Sequence, residues 1–392
     1  MDITITPTLL TGRIQAIPSK SQAHRMLICA AFADGETTLC CPQTNQDIEA
    51  TAACLRALGA EISYDNGHYH IKPIYNAPKT AELCCGESGS TLRFMLPIVG
   101  ALGVNAIFRL EGRLPQRPLS PLWEEMTRMG CTLDRMTDGS VTCSGQLRCG
   151  RYSIDGSVSS QFITGLMLAL PLIDGDCHLE VTGKVESAPY IELTRDVLSR
   201  FGAEKQKTYH TPGRMEVEGD WSNAAFFLAA QALGNCVEVI GLDARSTQGD
   251  RAITTLLPQL LCSNCTVCAA DIPDLVPILS VVAAANHGAQ FTQIGRLRLK
   301  ESDRVAAVIA MLECLGGRAE ASGDVLTVYP GGLQGGTVDG FQDHRIVMSA
   351  AIASTVCTQP VTISDAQAVS KSYPEFWAEF RRLGGNYEQH IR

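Results

Sequence analysis

The segment LRALG, residues 55–59, closes a stretch of helical periodicity with a glycine, and the chain repeats this ending. Two apolar residues around two variable ones, followed by glycine, return as MTRMG, LSRFG, LECLG and FRRLG, which end at Gly130, Gly202, Gly316 and Gly384. A glycine just past a helix supplies the left-handed conformation that a helix end favours. Most copies are followed by a short alternating strand, so each repeat combines a helix with strands.

The spacing of the copies predicts the architecture. A degenerate sixth copy, LPQLL, ends at Leu261, and successive copies end 71, 72, 59, 55 and 68 residues apart. That period exceeds the common solenoid repeats and fits a small subdomain of mixed helix and strand. Six copies in 392 residues favour two domains of three units each. The expected fold class is α/β, built from α+β repeats.

Two crossings between the domains are predicted. In VEGDWSNAAFFLAA, residues 217–230, a strand ends near Gly219, and Ser222 or Asn223 can cap the apolar helix that follows. The short strand before Gly12 has no helix of its own and is expected to complete the C-terminal domain. We therefore expect one domain at residues 13–219 and a discontinuous second domain at residues 1–12 plus 220–392.

Composition excludes several classes of protein. With 45% hydrophobic and 19% charged residues the chain can bury large cores. A net charge of −9 argues against a general nucleic-acid binder. No run approaches the ~18 apolar residues of a membrane span, and the N-terminus lacks the pattern of a secretory signal. We expect a cytoplasmic protein with no nucleic-acid or membrane partner.

The 16 cysteines are expected to be reduced thiols that act as small apolar residues. One cluster, Cys262, Cys265 and Cys268, has the C-x-x-C-x-x-C spacing found in iron–sulfur and zinc sites. The following residues, AADIPD, supply no nearby Cys or His as a fourth ligand, and residues 266–268 read as the start of a strand. We therefore expect structural thiols here and no metal site.

Unusual side chains stand at predicted helix starts, where free N–H groups and the helix dipole bind anions. PSKSQAHR, residues 18–25, puts Lys20 and Arg25 at such a start, where cations oppose the dipole unless an anion is bound. The small residues of CGESGSTLR, residues 85–93, let a ligand approach the backbone near Gly89, although no Walker motif is present. Further helix starts carry Arg117, Ser157, Ser159, Ser160 and Gln161.

The C-terminal half has charged residues at comparable places. Asp274 in DIPDLVP occupies a predicted helix N-cap, for which an ordinary cap is an equally good interpretation. A solvated charged face explains any single charged residue, but not the recurrence of charge at one helix start after another. The other charged residues of this set are Lys300, Glu301, Asp303, Arg304, Asp343, His344, Arg345 and Lys371.

Nine motifs between residues 18 and 377 carry a family resemblance. In order they are PSKSQAHR, GESGSTLR, RPLSPL, GSVSSQF, SAPYIELT, DIPDLVP, LKESDR, DHRIVMSAA and VSKSYPEFW. Together they resemble the 5-enolpyruvylshikimate-3-phosphate synthases of the enolpyruvyl transferase family. The resemblance implies a two-domain inside-out α/β barrel of six βαβ-containing units, three per domain. In that fold the helix N-termini face an interdomain cleft.

The resemblance also implies a reaction. The enolpyruvyl group of phosphoenolpyruvate moves to the 5-hydroxyl of shikimate 3-phosphate through a tetrahedral intermediate, and phosphate leaves, as a step of the shikimate pathway to chorismate and the aromatic amino acids. The donor becomes electrophilic at C2 only when C3 is protonated. The enzyme therefore needs an acid near C3, a base near the hydroxyl and positive charge around both anions. No cofactor is implied, and a monomer is expected.

The family's roles pass to matching positions of this chain. The resemblance implies that Glu301 exchanges the proton at C3, that Lys20 assists it, and that Asp274 holds the shikimate hydroxyls and can deprotonate the 5-hydroxyl. Residues implied to bind phosphoenolpyruvate are Lys20, Gly89, Arg117, Gln161, Arg304, Arg345 and Lys371. Residues implied to bind shikimate 3-phosphate are Ser21, Arg25, Ser159, Ser160, Gln161, Ser187, Tyr190, Asp274 and Lys300.

Two positions depart from the family pattern. Glu87 and Arg296 stand where asparagine is expected, which affects the expected affinity for phosphoenolpyruvate and for glyphosate-type analogues. Glu87 would need a cation such as Arg93.

Two other functions compete with the one that the resemblance implies. A UDP-N-acetylglucosamine enolpyruvyl transferase typically carries a cysteine in the loop that reads GRLPQR here, residues 112–117, and these six residues include no cysteine. A non-catalytic anion-binding scaffold would gain nothing from retaining the carboxylates of both Asp274 and Glu301.

Overall fold

The computed structural model describes residues 1–206 and 208–390, in which helices and strands alternate along the chain. Its strands are β1 (Asp2–Thr6), β2 (Thr11–Gln15), β3 (Thr37–Cys40), β4 (Glu61–Asp65), β5 (His68–Lys72), β6 (Thr80–Gly86), β7 (Asn105–Leu110), β8 (Cys131–Arg135), β9 (Val141–Gly145), β10 (Arg151–Asp155), β11 (His178–Thr182), β12 (Arg214–Glu216), β13 (Cys236–Ile240), β14 (Cys265–Cys268), β15 (Ala289–Thr292), β16 (Arg318–Ser322), β17 (Val325–Tyr329), β18 (Gly336–Val338), β19 (Val361–Ile363) and β20 (Asn386–His390). Its α-helices are α1 (Lys20–Ala31), α2 (Gln46–Ala57), α3 (Gly89–Leu102), α4 (Leu122–Arg128), α5 (Ser160–Ala169), α6 (Ala188–Arg200), α7 (Ala203–Gln206), α8 (Trp221–Ala232), α9 (Ile253–Cys262), α10 (Val276–Ala285), α11 (Arg304–Cys314), α12 (His344–Ala353) and α13 (Phe376–Arg382).

The repeated glycines end helices, which confirms that part of the sequence prediction. Each lies two residues past the last helical residue and has a positive φ, between 71° and 118°, where a side chain would be strained. They are Gly59 after α2, Gly130 after α4, Gly202 after α6, Gly316 after α11 and Gly384 after α13. The degenerate copy differs, because α9 runs to Cys262 and is followed by Ser263 in an extended conformation.

The chain divides into two compact units. One comprises Met1–Ile17 and Gly219–Arg392, and the other is Pro18–Glu218. The first crossing lies after residue 17, whereas the sequence suggested residue 12, because β2 pairs in parallel with β13 and so belongs to the discontinuous unit. The second crossing, after residue 218, lies one residue from the suggested position.

The unit Pro18–Glu218 contains three sheets among its described residues. Two have four strands, in the orders β12-β3-β5-β4 and β6-β7-β9-β8, and the third pairs β10 with β11. In each larger sheet the first pair is parallel and the other pairs are antiparallel. A single crossover helix joins the partners of two parallel pairs: α3 joins β6 to β7, and α5 joins β10 to β11. Such a helix starts just beyond the carboxyl end of a strand.

The discontinuous unit has the same topology. Its described four-stranded sheets have the orders β18-β19-β1-β20 and β14-β15-β17-β16, and β13 pairs with β2. The N-terminal strand β1 is the third strand of its sheet and pairs antiparallel with both of its neighbours, β19 and β20. The strands β9 and β17 have the same position in their own sheets. The start of the chain therefore completes a sheet of the C-terminal half.

Each unit has its own hydrophobic core, in which some helices are covered on every side. Every residue of α12 is buried, as are nearly all residues of α3 and α10. A helix that is apolar all round must be covered all round, so the polar residues in its first turn are held away from water too. Arg93 of α3 and Arg345 of α12 are both buried in this way.

The N-cap of α8 differs from the predicted one. The N-cap of α8 is Asp220, whose Oδ1 accepts from the backbone N–H of Asn223 at 2.7 Å, so the predicted caps Ser222 and Asn223 lie inside the first turn.

The strand predicted at the cysteine cluster is β14, and the described cysteines are all free thiols. Within residues 1–206 and 208–390 there is no cluster of three or more potential metal-ligating side chains, and no helix long and apolar enough to cross a membrane.

Replacing Gly165 by alanine tests the packing of α5 against α3. A β-carbon at Gly165 would collide with the backbone carbonyl of Arg93. Alanine gains about 1 kcal/mol of helix propensity over glycine, but overpacking against a backbone group costs about 1–3 kcal/mol or more. We expect Gly165→Ala to lower the free energy of unfolding by about 1–2 kcal/mol in urea titrations.

Gly331→Ala is the matched control for this prediction. No atom lies within 4 Å of a β-carbon at Gly331, so no collision is expected there. If Gly165→Ala were as stable as the parent, α3 and α5 could not be packed as closely as the structure has them.

Candidate active site

In the unit Pro18–Glu218, the start of α1 holds Lys20 against a carboxylate. Ser19 caps the helix, and its Oγ accepts from the backbone N–H of Gln22 at 3.4 Å. The Nζ of Lys20 lies 2.9 Å from Oδ2 of Asp47, in the first turn of α2, and the lysine side chain is 16% exposed. A cation at this helix end, opposed by the dipole, is therefore balanced by an acidic side chain and still reaches solvent.

Two guanidinium groups cover the start of α3. A β-carbon at Gly89 would lie 2.6 Å from Nη1 of Arg93 and 2.7 Å from Nη1 of Arg117. Glycine is therefore required for this close approach. Arg93 Nη1 donates to Oε1 of Gln161 at 2.8 Å, and Gln161 Nε2 donates to Oγ of Ser90 at 2.9 Å. The structure thus brings together three predicted site residues, Gly89, Arg117 and Gln161.

Arg93 was not among the predicted site residues. The signal was present, because Arg93 is four residues after Gly89 and so lies on the same face of a helix. Glu87, for which Arg93 was considered as a partner, lies against Gly112, where an added β-carbon would collide with its carboxylate. The guanidinium group of Arg93 donates from Nη1 to Gln161 and from Nη2 to the carbonyl of Pro118 at 3.0 Å.

Arg25 is buried and holds backbone carbonyls. Its Nη1 donates to the carbonyl of Ser21 at 2.6 Å, its Nη2 to the carbonyl of Tyr190 at 3.2 Å, and its Nε to Oγ1 of Thr194 at 2.8 Å. Burial lowers the pKa of Arg25 to about 10. The arginine therefore ties the start of α6 to α1 and orients Ser21 and Tyr190, two other predicted site residues.

The predicted serines lie at two helix starts. Ser159 caps α5 and accepts from the backbone N–H of Gln161 at 3.3 Å, and Ser160 is the first, buried residue of that helix. Ser187 precedes α6 and has a φ of 57°, in the left-handed region that a residue with a side chain rarely adopts. Strain of this kind often marks a functional position.

A series of buried hydrogen bonds connects the N-terminal halves of α1, α2 and α3. His24 Nδ1 lies 2.7 Å from Oγ1 of Thr51, which lies 2.7 Å from Oγ1 of Thr91, which donates to Oγ of the α3 cap Ser88 at 2.8 Å. Burial, together with the charges of Lys20 and Arg25, holds the pKa of His24 well below its usual value. The imidazole is therefore neutral, and this series of hydrogen bonds orders the glycine-containing loop without a charge.

In the discontinuous unit, Arg304 is surrounded by carboxylates. Its Nη1 donates to Oδ1 of Asp274 at 2.6 Å, its Nη2 to Oε2 of Glu301 at 2.7 Å, and its Nε to Oδ2 of Asp343 at 2.9 Å. The side chain of Arg304 is only 1% exposed. A buried cation needs such partners, because an unpaired charge in the interior costs several kcal/mol.

Asp274 connects this group to two further cations. Its Oδ2 accepts from Nη2 of Arg345 at 2.9 Å, and Nζ of Lys300 lies 3.6 Å from its Oδ1. Burial would raise the pKa of Asp274, but Arg345, Lys300 and Arg304 hold it well below its usual range. Asp274 is therefore ionised, and it is not a helix cap as one interpretation had it, since α10 begins after Leu275.

The neighbouring helices start at charged residues, as the sequence predicted, and the structure shows that their caps are acidic. Asp303 caps α11 and Asp343 caps α12, where its Oδ1 accepts from the backbone N–H of Arg345 at 3.0 Å. Lys371 is not at a helix start: it ends the 3₁₀-helix Ala366–Lys371, and its Nζ donates to the carbonyl of Gln342 at 2.9 Å. That carbonyl belongs to the loop just before Asp343.

Lys300 has an unusually low proton affinity. Burial, together with the charges of Arg304 and Arg296, lowers its pKa to about 8, against the opposing effect of Asp274. Arg296 lies in the 3₁₀-helix Gly295–Leu299, which leads to Lys300. The unexpected arginine at position 296 therefore adds positive charge to the surroundings of Lys300.

The protein is a two-unit α/β protein with cations at several of its helix starts, and comparisons with known proteins show its family. The family model of EPSP synthase (3-phosphoshikimate 1-carboxyvinyltransferase) matches residues 5–267 and 258–380. The enzymes named 3-phosphoshikimate 1-carboxyvinyltransferase from Clostridium kluyveri and Clostridium novyi are both 36% identical, covering 99% and 98% of this chain and 98% of their own. The solved EPSP synthase of Acinetobacter baumannii covers 99% of this chain and 100% of its own, with a TM-score of 0.79 at 22% identity. The chain belongs to the EPSP synthase family.

Asp343→Asn tests the buried ion cluster. Loss of this carboxylate charge beside Arg304 should lower the free energy of unfolding at pH 7 by about 3–5 kcal/mol. The folded-state pKa of Asp343 is lowered, chiefly by Arg304 acting against burial. Its contribution is therefore complete above the unfolded pKa of ~3.9 and disappears as the pH falls through the folded value. Urea unfolding at pH 7 and below pH 4 measures this loss.

Glu238→Gln is the control, because it removes the carboxylate of an exposed pair with Arg13 in the same unit. An exposed pair stabilises little, so this change should be much smaller than that of Asp343→Asn. Equal losses from the two substitutions would contradict the account of the cluster.

Proposed function

We propose that this protein transfers the enolpyruvyl group of phosphoenolpyruvate to the 5-hydroxyl of shikimate 3-phosphate and releases phosphate. The observation that carries the proposal is the cluster around Arg304, where Asp274 and Glu301 meet Arg345 and Lys300. Such a cluster supplies both the carboxylates for proton transfer and the positive charge for anionic substrates. Membership of the EPSP synthase family over nearly the whole chain supports the same reaction.

Glu301 exchanges the proton with C3 of phosphoenolpyruvate in this proposal. Its side chain is 25% exposed, so a substrate can reach it, while Arg304 fixes one carboxylate oxygen. Proton delivery to C3 leaves positive character at C2, which the acceptor hydroxyl then attacks. Lys20, paired with Asp47 and partly exposed, balances the charge of the substrates.

Asp274 accepts hydrogen bonds from the shikimate hydroxyls. Because its pKa is held well below the usual range, it is a weak base toward a free hydroxyl. It therefore takes the proton of the 5-hydroxyl only as the bond to C2 forms, when that hydroxyl becomes strongly acidic. The two bound guanidinium groups fix its position for this step.

The residues proposed for the donor and for the acceptor carry the groups that anionic substrates need. Arginine suits the carboxylate and phosphate of phosphoenolpyruvate, because its fork donates two parallel hydrogen bonds. The donor-binding residues are Lys20, Gly89, Arg117, Gln161, Arg304, Arg345 and Lys371. The acceptor-binding residues are Ser21, Ser159, Ser160, Gln161, Ser187, Tyr190, Asp274 and Lys300, and Arg25 orients Ser21 and Tyr190 through their carbonyls.

The proposal extends to the architecture and the setting of the enzyme. Each unit is an inside-out α/β barrel of three βαβ-containing repeats; three sheets of matching topology in the described part of each unit support this. The unit Pro18–Glu218 binds mainly shikimate 3-phosphate. The enzyme is a cytoplasmic monomer that needs no cofactor, because proton transfer and electrostatic stabilisation supply the whole reaction.

Phosphate release from phosphoenolpyruvate tests the function. The purified protein is given shikimate 3-phosphate, UDP-N-acetylglucosamine or no acceptor in parallel. Release with shikimate 3-phosphate alone is expected. Release only with the sugar nucleotide would leave the donor site but contradict the acceptor residues, and release with neither acceptor would favour an anion-binding scaffold.

Glu301→Gln separates chemistry from binding. The amide keeps the shape of the side chain but cannot donate the proton to C3, so we expect kcat to fall by about 10²–10⁴. The Kd of shikimate 3-phosphate, measured by calorimetry, should change less than about threefold. Glu313→Gln, at an exposed position of α11, is the matched control and should keep full turnover. Undiminished kcat in Glu301→Gln would show that another group is the acid.

Lys300→Arg tests the low proton affinity of Lys300. With a pKa of about 8, Lys300 is charged below this pH and neutral above it. The kcat/KM for shikimate 3-phosphate, which reports on the free enzyme, should therefore fall above about pH 8 in the parent. Arginine stays charged throughout, so this fall should be absent from Lys300→Arg, whatever its absolute activity. Parallel pH profiles of parent and variant would contradict the role of Lys300.

A further inference from the structure

Asp250 is a buried carboxyl group that the proposed reaction does not use. It lies in the 3₁₀-helix Gly249–Ala252 and is 2% exposed. Its Oδ2 accepts a hydrogen bond from the hydroxyl of Ser222, in the first turn of α8. Its Oδ1 is buried and has no hydrogen-bond partner in the described part of the chain. A carboxylate with a single donor is poorly compensated for its lost hydration, so this environment favours the protonated form.

The negative charges near Asp250 also favour the protonated form. Burial and the charges of Asp274 and of the α8 cap, Asp220, raise the pKa of Asp250 to about 7, against the opposing effects of Arg345 and Ser222. The titratable and charged groups that face Asp250 are thus two carboxylates and one guanidinium, and the carboxyl changes charge near neutral pH.

Hydrogen bonds connect Asp250 to the ion cluster. The carbonyl of Ser222, whose hydroxyl binds Asp250, accepts from Nη1 of Arg345 at 3.4 Å. The Nη2 of the same guanidinium donates to Oδ2 of Asp274 at 2.9 Å. Asp250, Ser222, Arg345 and Asp274 therefore form one continuous buried chain within the discontinuous unit.

We propose that Asp250 is a positioning residue that holds Arg345 through Ser222, and that loss of its proton weakens the binding of phosphoenolpyruvate at Arg345. This inference rests on the proposed function, which places the anionic donor at Arg345. The protonated carboxyl leaves the positive charge of Arg345 to be shared by Asp274 and the ligand. The ionised carboxyl adds a second negative charge beside it, with which the ligand must compete.

Asp250→Asn is the decisive substitution, because the amide keeps the shape of the side chain and is neutral at every pH. The KM for phosphoenolpyruvate is measured for parent and variant between pH 6 and 8.5. We expect the ratio of parent to variant KM to rise at least threefold, with a midpoint near pH 7, while the kcat ratio and the KM ratio for shikimate 3-phosphate stay within twofold. Taking ratios removes the titration of the substrate itself. A flat KM ratio for phosphoenolpyruvate would overturn the inference.

Asp271→Asn is the matched control, since it makes the same change at an exposed position of the same unit. Its KM ratio should not vary with pH. An equal rise with this variant would mean that any acidic residue of the unit produces the effect, which would also overturn the role of Asp250.

Urea unfolding distinguishes failure of the inference from failure of the proposed function. The folded-state pKa of Asp250 is above its unfolded value, so the stability that it contributes is complete below about pH 4 and is lost as the pH rises to about 7. The stability of Asp250→Asn relative to the parent should therefore increase over that range and stay constant above it. If the parent protein shows this unfolding pattern but is inactive, Asp250 does bind a proton near neutral pH and the proposed reaction is wrong. If the stability difference between variant and parent does not change with pH, Asp250 does not bind that proton and the inference is wrong.

Ser222→Ala gives an independent test if Asp250→Asn does not fold. Removing the single hydroxyl donor disfavours the carboxylate further and keeps the carbonyl that binds Arg345. The pH midpoint of the KM for phosphoenolpyruvate should then move upward from that of the parent. An unchanged midpoint would show that Asp250 is not the titrating group.

Discussion

A guanidinium group that is 1% exposed has lost nearly all of its hydration, and three carboxylates, Asp274, Glu301 and Asp343, compensate for that loss around Arg304. They come from the segments before α10, α11 and α12, so one ion cluster fixes three helix starts relative to each other. Replacing such clusters by apolar residues often leaves stability unchanged or improved. The cluster is therefore best explained by what it offers an anion: cations already fixed and desolvated, which need no rearrangement when a substrate binds.

The unit Pro18–Glu218 orders its helix starts in a different way. The neutral imidazole of His24 is connected to the cap of α3 through hydroxyl groups. Its pKa is low because the ring is buried and lies near the charges of Lys20 and Arg25. The cations of this unit meet at Gly89, where the absence of a β-carbon lets Arg93 and Arg117 approach the backbone. The discontinuous unit thus surrounds Arg304 with carboxylates, whereas the other unit, which pairs Lys20 with Asp47, also orders its helix starts with neutral hydrogen bonds.

Local signals predicted much of this structure. The glycines past α2, α4, α6, α11 and α13 need only their own backbone conformation, and the placement of Asp303 and Asp343 at helix starts needs only the adjacent helix. What the sequence concealed depends on contacts between distant segments. Asp274 pairs with Arg345, 71 residues away, instead of capping α10. The hydrogen bond between Ser222 and Asp250 and the pairing of β2 with β13 likewise need the folded chain.

The double variant Arg304→Met/Asp343→Leu tests most directly whether the ion cluster serves binding and chemistry and not stability. Its free energy of unfolding and its phosphate release from phosphoenolpyruvate with shikimate 3-phosphate are measured against the parent. We predict a smaller loss of stability than in Asp343→Asn alone, because the two members of a buried pair are removed together, and a loss of at least 10³-fold in kcat/KM, because Asp274 and Glu301 lose the guanidinium group that fixes them. A folded double variant that keeps parental kcat/KM would contradict this account, as would a variant destabilised as strongly as Asp343→Asn alone.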